Sequence, residues 1–355
     1  HIWMGGSNSN GGSYTWNGLT VGDGPSTGAS GANCHAIDLF GPITTGGGDV
    51  LLWASNNGGC GIGGIVSDGT RHINAGSGDI TLIAYQTSGA IELTSTGLIS
   101  LVPHTGSYSS ALTLGGTLAS GHFTFNTGFY NGLKINSLAN SGLVIGNYSG
   151  HFSGATAVTQ GNSSNVTVSS ALSTKSLEIY GGALTLSSNL STTNITTGNI
   201  LLSGTTIAGT GNISPAAGRT ATINISSNST YGGILSGAGS SFTKAGGGSL
   251  TLTNDHSYTG ATNILGGDLI VGTGGSVSQA SSGTINTTNA VSITSGSKLI
   301  LTPNENVVFA APISGAGGVE IKGASGAYYN SFLTGTPATI ATNTSVLEVL
   351  TRITG

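Results

Sequence analysis

Residues 237–272 read GAGSSFTKAGGGSLTLTNDHSYTGATNILGGDLIVG, from Gly237 to Gly272. Three short apolar alternations run through this stretch: Ser249-Leu250-Thr251-Leu252-Thr253, Ala261-Thr262-Asn263-Ile264 and Asp268-Leu269-Ile270-Val271. A strand sends successive side chains to opposite faces, so each alternation offers one apolar face and one Thr/Asn/Ser face. Each is too short to be stable alone. Several of them, joined by Gly corners and stacked rung on rung, do make a core.

The same stretch resembles the passenger-associated transport repeat of bacterial autotransporters, of the form G-x-G-x-L-x-K-x-G-x-G-x-L-x-L-x-G-x-N-x-Y-x-G. Gly237, Gly239, Lys244, Gly246, Gly248, Leu250, Leu252, Tyr258 and Gly260 carry the resemblance. Phe242 stands at the usual Leu position, and Asn254-Asp255-His256 stands where Gly-x-Asn is usual. The resemblance covers about a tenth of the 355 residues.

Composition fits a stacked core. The chain holds 63 Gly and is only 6% charged, yet it is 37% hydrophobic, which separates it from Gly-rich disorder. Equivalent outward positions on successive rungs lie about 4.8 Å apart. Like charges there would repel by roughly 1 kcal/mol even in water. Neutral Thr, Ser and Asn avoid this and hydrogen-bond along the stack. No run of 18 apolar residues occurs, so no helix here spans a bilayer. A formal net charge of −4, with eight Lys and Arg spread singly, leaves no patch to neutralise phosphates, so no nucleic acid is expected as partner. The chain opens at His1 without an initiator Met, and it is read as a processed product or a piece of a longer exported protein.

Repetition extends toward the N-terminus. The segment from Ile43 through Asp49 and Val50 to Ala54 aligns without a gap on Ile73 through Asp79 and Ile80 to Ala84. Leu235-Ser-Gly-Ala-Gly239 echoes Ile313-Ser-Gly-Ala-Gly317, and Gly182-Ala-Leu184-Thr-Leu186 echoes Gly248-Ser-Leu250-Thr-Leu252. The Gly-Asp-Ile-Thr-Leu and Ile-Asn-Ala-Gly-Ser-Gly units resemble the hemagglutinin-like repeats of secreted filamentous adhesins, from about Gly41 to Gly150. Helix signals are nearly absent because Gly interrupts nearly every window of ten. Short β-rich runs bounded by Gly, Asn or Ser recur throughout.

The fold expected is all-β, a single right-handed parallel β-helix, with about 20–25 residues per rung and roughly 15 rungs. A conventional array of β-sandwiches is the competing architecture. The expected divisions are a lead-in segment with the first rungs over 1–40 and a hemagglutinin-like solenoid over 41–232. Transport-repeat-like rungs follow over 233–272, then C-terminal rungs with a terminal strand over 273–355. Ile43, Val50, Leu52, Ile73, Ile80, Leu82, Leu250, Leu252, Ile264, Leu269 and Val271 should point inward. Thr81, Thr251, Thr253 and Asn263 should point outward, and Asp49 and Asp79 should share one corner.

Chemistry-bearing constellations are sparse. Carbohydrate enzymes on β-helices need carboxylates clustered on adjacent rungs. Twelve acids are spread over this chain, and the densest polar group is Asp68, Arg71, His72 and Asp79. Asp79 mirrors Asp49 and reads as a corner residue bonding main-chain amides. The seven His are isolated, and Cys34-His35 lacks a second ligand pair, so no metal and no cofactor are expected. Gly46-Gly47-Gly48-Asp49 hints at a calcium-binding nonapeptide but has no tandem copies. Asn-x-Ser/Thr triplets at Asn147, Asn162, Asn165, Asn189, Asn194, Asn212, Asn224, Asn228, Asn286 and Asn343 follow from composition in a chain this rich in Asn, Ser and Thr.

Cys34 and Cys60 each lie in a loop leading into a repeat unit. In an oxidising setting a disulfide is expected, closing a loop of about 27 residues and contributing roughly 3 kcal/mol. Near the C-terminus Leu347, Val349 and Ile353 alternate with Glu348 and Arg352. That run reads as a strand able to join a neighbouring subunit's open edge.

The two resemblances imply a non-catalytic protein of the bacterial cell surface or extracellular space. Its role would be adhesion, biofilm or filament structure, with a glycan or surface receptor as partner. They also imply passage through an outer-membrane secretion pore. The alternative is a polysaccharide-degrading β-helix enzyme, a lyase or glycoside hydrolase, which acids clustered on adjacent rungs would mark.

Overall fold

Strands of two to six residues hold only if each finds a partner one rung away, and parallel pairing of equivalent residues supplies it. The computed structural model describes residues 1–4, 13–16, 19–22, 37–54, 64–84, 86–103, 111–115, 122–124, 132–136, 138–147, 152–153, 162–272, 290–302, 313–321 and 339–342. Among them every regular element is a strand except one 3-10 turn, Leu138–Asn140. The protein is all-β, a parallel β-solenoid. It divides into two units, His1–Gly182 and Ala183–Gly355.

In the first unit Ile2–Met4, Val50–Trp53, Ile80–Ala84, Leu98–Pro103, Gly142–Ile145 and Ser176–Tyr180 pair in parallel in that order. Ile2 aligns with Val50, Val50 with Ile80, Ile80 with Ile99, Ile99 with Leu143 and Leu143 with Leu177, so a rung takes from 19 to 48 residues. The long rungs carry additions. Ser13–Trp16 and Leu19–Gly22 form an antiparallel hairpin that also pairs with Phe152–Ser153. His122–Thr124 pairs antiparallel with Leu133–Asn136.

The second unit is more regular. Ile200–Gly204, Thr220–Ile225, Ser241–Ala245, Thr262–Ile264, Val291–Ile293 and Ile313–Ser314 belong to one parallel sheet. Ser229–Tyr231, Leu250–Leu252, Asp268–Val271, Lys298–Leu301, Gly318–Ile321 and Thr339–Thr342 form another. Ile200, Ala221, Phe242 and Thr262 follow at 20 or 21 residues, and the step from Thr262 to Val291 takes 29. Among the described residues the strands of this sheet number twelve over the two units, fewer than the roughly 15 rungs expected from an even repeat. The antiparallel additions and lengthened rungs account for the difference.

Register turns each inward position into a column of like side chains. Val50, Ile80, Ile99, Leu143 and Leu177 stack in one, and Leu52, Leu82, Leu101, Ile145 and Ile179 in the next, all buried. The other expected inward residues, Ile43, Ile73, Leu250, Leu252, Ile264, Leu269 and Val271, are buried as well. Each such side chain contributes about 1.5–3 kcal/mol by leaving water. Thr251, Thr253 and Asn263 face outward and are partly exposed. Thr81 does not behave so: it is 1% exposed, between Leu51 and Ser100 at 0%. The outward face of this sheet is itself covered in the first unit. Its strands read VLLWA, ITLIA and LISLVP, continuous apolar runs that signal burial on both faces rather than alternation.

The 30-residue repeat is real in space. Ile43 pairs with Ile73 and Val50 with Ile80, which puts Asp49 and Asp79 at one corner. There the Asp79 N–H donates to Asp49 Oδ1 at 2.8 Å, and the Leu98 N–H donates to Asp79 Oδ1 at 2.8 Å. Each carboxylate thus satisfies a main-chain donor of the following rung. Asp79→Ala, which orphans the Leu98 N–H, should lose about 1–2 kcal/mol of stability, while Asp79→Asn keeps the acceptor and most of it. Urea unfolding midpoints of the two variants check this.

Candidate functional site

The inward column of the second unit's first sheet runs Leu202, Ile223, Lys244, Ile264 and Ile293. A lysine stands in it, 0% exposed, stacked between two isoleucines. Its strand places it there. In Ser241-Phe-Thr-Lys-Ala245 the parity that turns Phe242 inward turns Lys244 inward too. The ammonium ends at a corner and donates to three carbonyls: Ala245 O at 2.7 Å, Gly246 O at 2.9 Å and Gly266 O at 2.8 Å. Its three N–H donors match three acceptors, two on its own rung and one on the next. Burial pushes its pKa down to about 8, and the carboxylate of Asp268 pulls it back toward the charged form. At neutral pH it is an ammonium clamping two corners together.

The surrounding residues are fitted to this clamp. Gly246 adopts φ +77°, and a Cβ there would stand 2.2 Å from Ile225 O. A Cβ on Gly248 would stand 2.3 Å from the Ser227 carbonyl carbon. Phe242, larger than the Leu the motif favours, has the small Ala221 beneath it and packs on Tyr258 with centroids 6.0 Å apart. The Tyr258 hydroxyl shares a hydrogen bond of 2.5 Å with Thr262 Oγ1, and the buried Tyr231 hydroxyl donates to Gly211 O. Burial raises both phenols well above their ordinary pKa. His256 lies in the crossing between Leu250–Leu252 and Thr262–Ile264, 7% exposed, its Nδ1 accepting the Leu235 N–H at 3.0 Å.

A family model described as the passenger-associated transport repeat, a repeat found in autotransporter passenger domains, matches residues 242–271. The chain matches no curated protein and no solved structure. The matched segment comprises the Lys244 clamp, the Phe242–Tyr258 pair and the strands Leu250–Leu252, Thr262–Ile264 and Asp268–Val271. It is therefore a unit in space, one full rung and the strands that open the next.

The other sequence candidates separate. Asp68 pairs with Arg71, whereas His72 pairs with Glu92 at 3.1 Å and Asp79 serves the corner. Glu92 also meets Lys134 at 3.5 Å, so His72, Glu92 and Lys134 form a row across three rungs. That row was hidden because its members lie far apart in sequence. Several Asn of the Asn-x-Ser/Thr triplets are engaged in the stack. Asn189 Oδ1 accepts the Asn212 N–H, Asn212 Oδ1 the Ile234 N–H, and Asn228 Oδ1 the Ser249 N–H. Cys34, Cys60, Leu347, Val349 and Ile353 lie outside the described residues.

Replacing Lys244 by Met fits the aliphatic column but strands three carbonyls, and the variant should lose about 2–4 kcal/mol in urea unfolding. A neighbouring pair of glycines gives an internal control. Gly248→Ala must displace the Ser227 backbone and should cost at least about 2 kcal/mol, whereas Gly247→Ala meets nothing within 4 Å and should stay within about 0.5 kcal/mol of the parent.

Proposed function

We propose that this chain is a non-catalytic segment of an exported bacterial surface protein, a β-solenoid that carries adhesive or filament-forming surfaces, and that the repeat at 242–271 drives its folding as it emerges. The observation that carries this reading is the Lys244 clamp inside the matched repeat, which joins carbonyls of two successive rungs. A rung closed in this way presents a finished edge to the chain that follows. Rung-by-rung growth outside the cell needs such a starting edge, because isolated strands of this length are not stable.

The use of the acidic residues favours structure over catalysis. Asp49 and Asp79 do stand on adjacent rungs, but each gives an oxygen to a main-chain N–H. Asp68, Glu92, Glu178 and Glu320 are held by Arg71, by His72 with Lys134, by Tyr180 and by Lys298. Partners fitting this reading are an outer-membrane secretion pore during export and a glycan or surface receptor afterwards. Neighbouring copies joined head to tail through Leu347, Val349 and Ile353 fit it too. Many weak contacts along a stack would act together as avidity.

Surface display in a bacterium carrying the matching secretion apparatus tests the reading. Lys244→Met in the full protein should lower the protease-resistant fraction outside the cell several-fold. Leu101→Ala, a core truncation in the first unit costing about 2–5 kcal/mol, should lower it much less. Equal losses would show that the repeat has no special part in folding on export.

A further inference from the structure

Within residues 242–271 one buried side-chain atom has no hydrogen-bond partner, Nε2 of His256. The other ring nitrogen is engaged, since Nδ1 accepts the Leu235 N–H at 3.0 Å. An imidazole that accepts at Nδ1 carries its proton at Nε2 and is neutral. The contact is one of several that join the crossing segment around His256 to the preceding rung. Beside it stand the Ser257 N–H to Leu235 O at 2.9 Å, the Thr259 N–H to Gly237 O at 3.2 Å, the Gly260 N–H to Ser240 O at 2.8 Å, the Gly239 N–H to Thr259 Oγ1 at 2.6 Å and the Asn254 side-chain amide to Gly232 O. Of these, the bond to Nδ1 is the one that a proton on the ring would break. His256 also occupies the position where the repeat motif carries Asn, whose amide oxygen can accept a main-chain N–H at any pH.

Protonation would put a hydrogen on Nδ1 facing the Leu235 N–H, donor against donor. It would also bury a cation with neither N–H satisfied. The titratable groups of the surrounding rungs are Asp255 beside it in the chain, Tyr231, Tyr258, Lys244, Asp268 and Arg219. None of them offsets this, for burial is the only cause of its shift, down to about 4. The remaining histidines, at positions 1, 35, 72, 104, 122 and 151, all precede the second unit, so His256 is the sole histidine there.

We propose that His256 is an acid latch on the transport repeat: the crossing between these rungs closes on a neutral imidazole and is released when the ring takes up a proton. The physical claim stands on the geometry, while its meaning for export rests on the folding role proposed above. The sign is fixed by the two states. The unfolded chain binds the proton near pH 6.5 and the folded one only near pH 4. The full stability is therefore present above about 6.5 and falls, by up to about tenfold in the folded-to-unfolded ratio per pH unit, as pH drops through that window. An exported chain that meets acid would stay open at this repeat and close it on reaching neutral medium.

Hydrogen–deuterium exchange by mass spectrometry on the whole chain, comparing parent and H256N at each pH, tests this. Protection of the segment 229–264 in the parent, relative to H256N, should fall roughly 20-fold between pH 7 and pH 5. Parallel pH profiles for the two proteins would overturn the latch. If H256N does not fold, H256Q and the nitrogen-15 histidine spectrum of the parent take its place. A neutral ring with its proton on Nε2 at pH 5 upholds the proposal, and a ring protonated near pH 6.5 with the fold intact defeats it. A normal yield of displayed Lys244→Met together with the expected exchange profile would remove the folding role and leave the latch standing.

Discussion

Main-chain N–H groups at the corners of a stacked β-structure face no strand partner, and the whole architecture depends on what accepts them. In this protein the acceptor is repeatedly a short side chain of the preceding rung. Asp49 and Asp79 do it in the first unit, and Asn189, Asn199, Asn212 and Asn228 in the second. Leaving such a donor bare costs about 1–3 kcal/mol once it is out of water. A side-chain oxygen reaching one rung onward removes that cost and fixes register at the same moment, because only the aligned rung presents its N–H at the right height. Aliphatic columns inside supply most of the stabilisation, but they are nearly indifferent to which Ile meets which Leu. Specificity of stacking comes from the polar corners.

The same logic explains a lysine in the core. A buried ammonium is costly unless all its donors are met. Lys244 meets this condition with three carbonyls, and its alkyl stem fills the column between Ile223 and Ile264. Two corners that a shorter residue would leave separate are thereby tied. Tyr231 and Tyr258 follow the same pattern on a smaller scale, each a large inward ring whose hydroxyl is engaged.

Much of this was legible in the sequence. Alternation in Leu250-Thr-Leu252 and Asp268-Leu-Ile-Val271 placed inward and outward faces correctly, and the pairing of Ile43 with Ile73 and of Asp49 with Asp79 followed from a simple alignment. Thr81 was misplaced because alternation assumes one wet face, whereas Ile80-Thr-Leu-Ile-Ala84 is buried on both. Rung length was misjudged in the first unit, since a solenoid tolerates additions at a corner without disturbing its columns, and nothing in local pattern marks their extent. The role of Lys244 was readable from parity alone, as a lone charge at an inward position beside Phe242. The row His72, Glu92 and Lys134 was not, because its partners stand 20 and 42 positions apart in the chain and only the fold brings them side by side.

Rungs of unequal length have one more consequence. The first unit spends 48 residues between Ile2 and Val50 but 19 between Ile80 and Ile99, and the columns keep their register across both. The columns keep one register whatever the length of chain between their members. Rungs of this tolerance in length are natural recipients for grafts. A foreign peptide epitope or a whole small domain spliced into one of them would be carried on a scaffold whose own rungs need not change, which makes this half of the molecule a candidate platform for display and vaccine design.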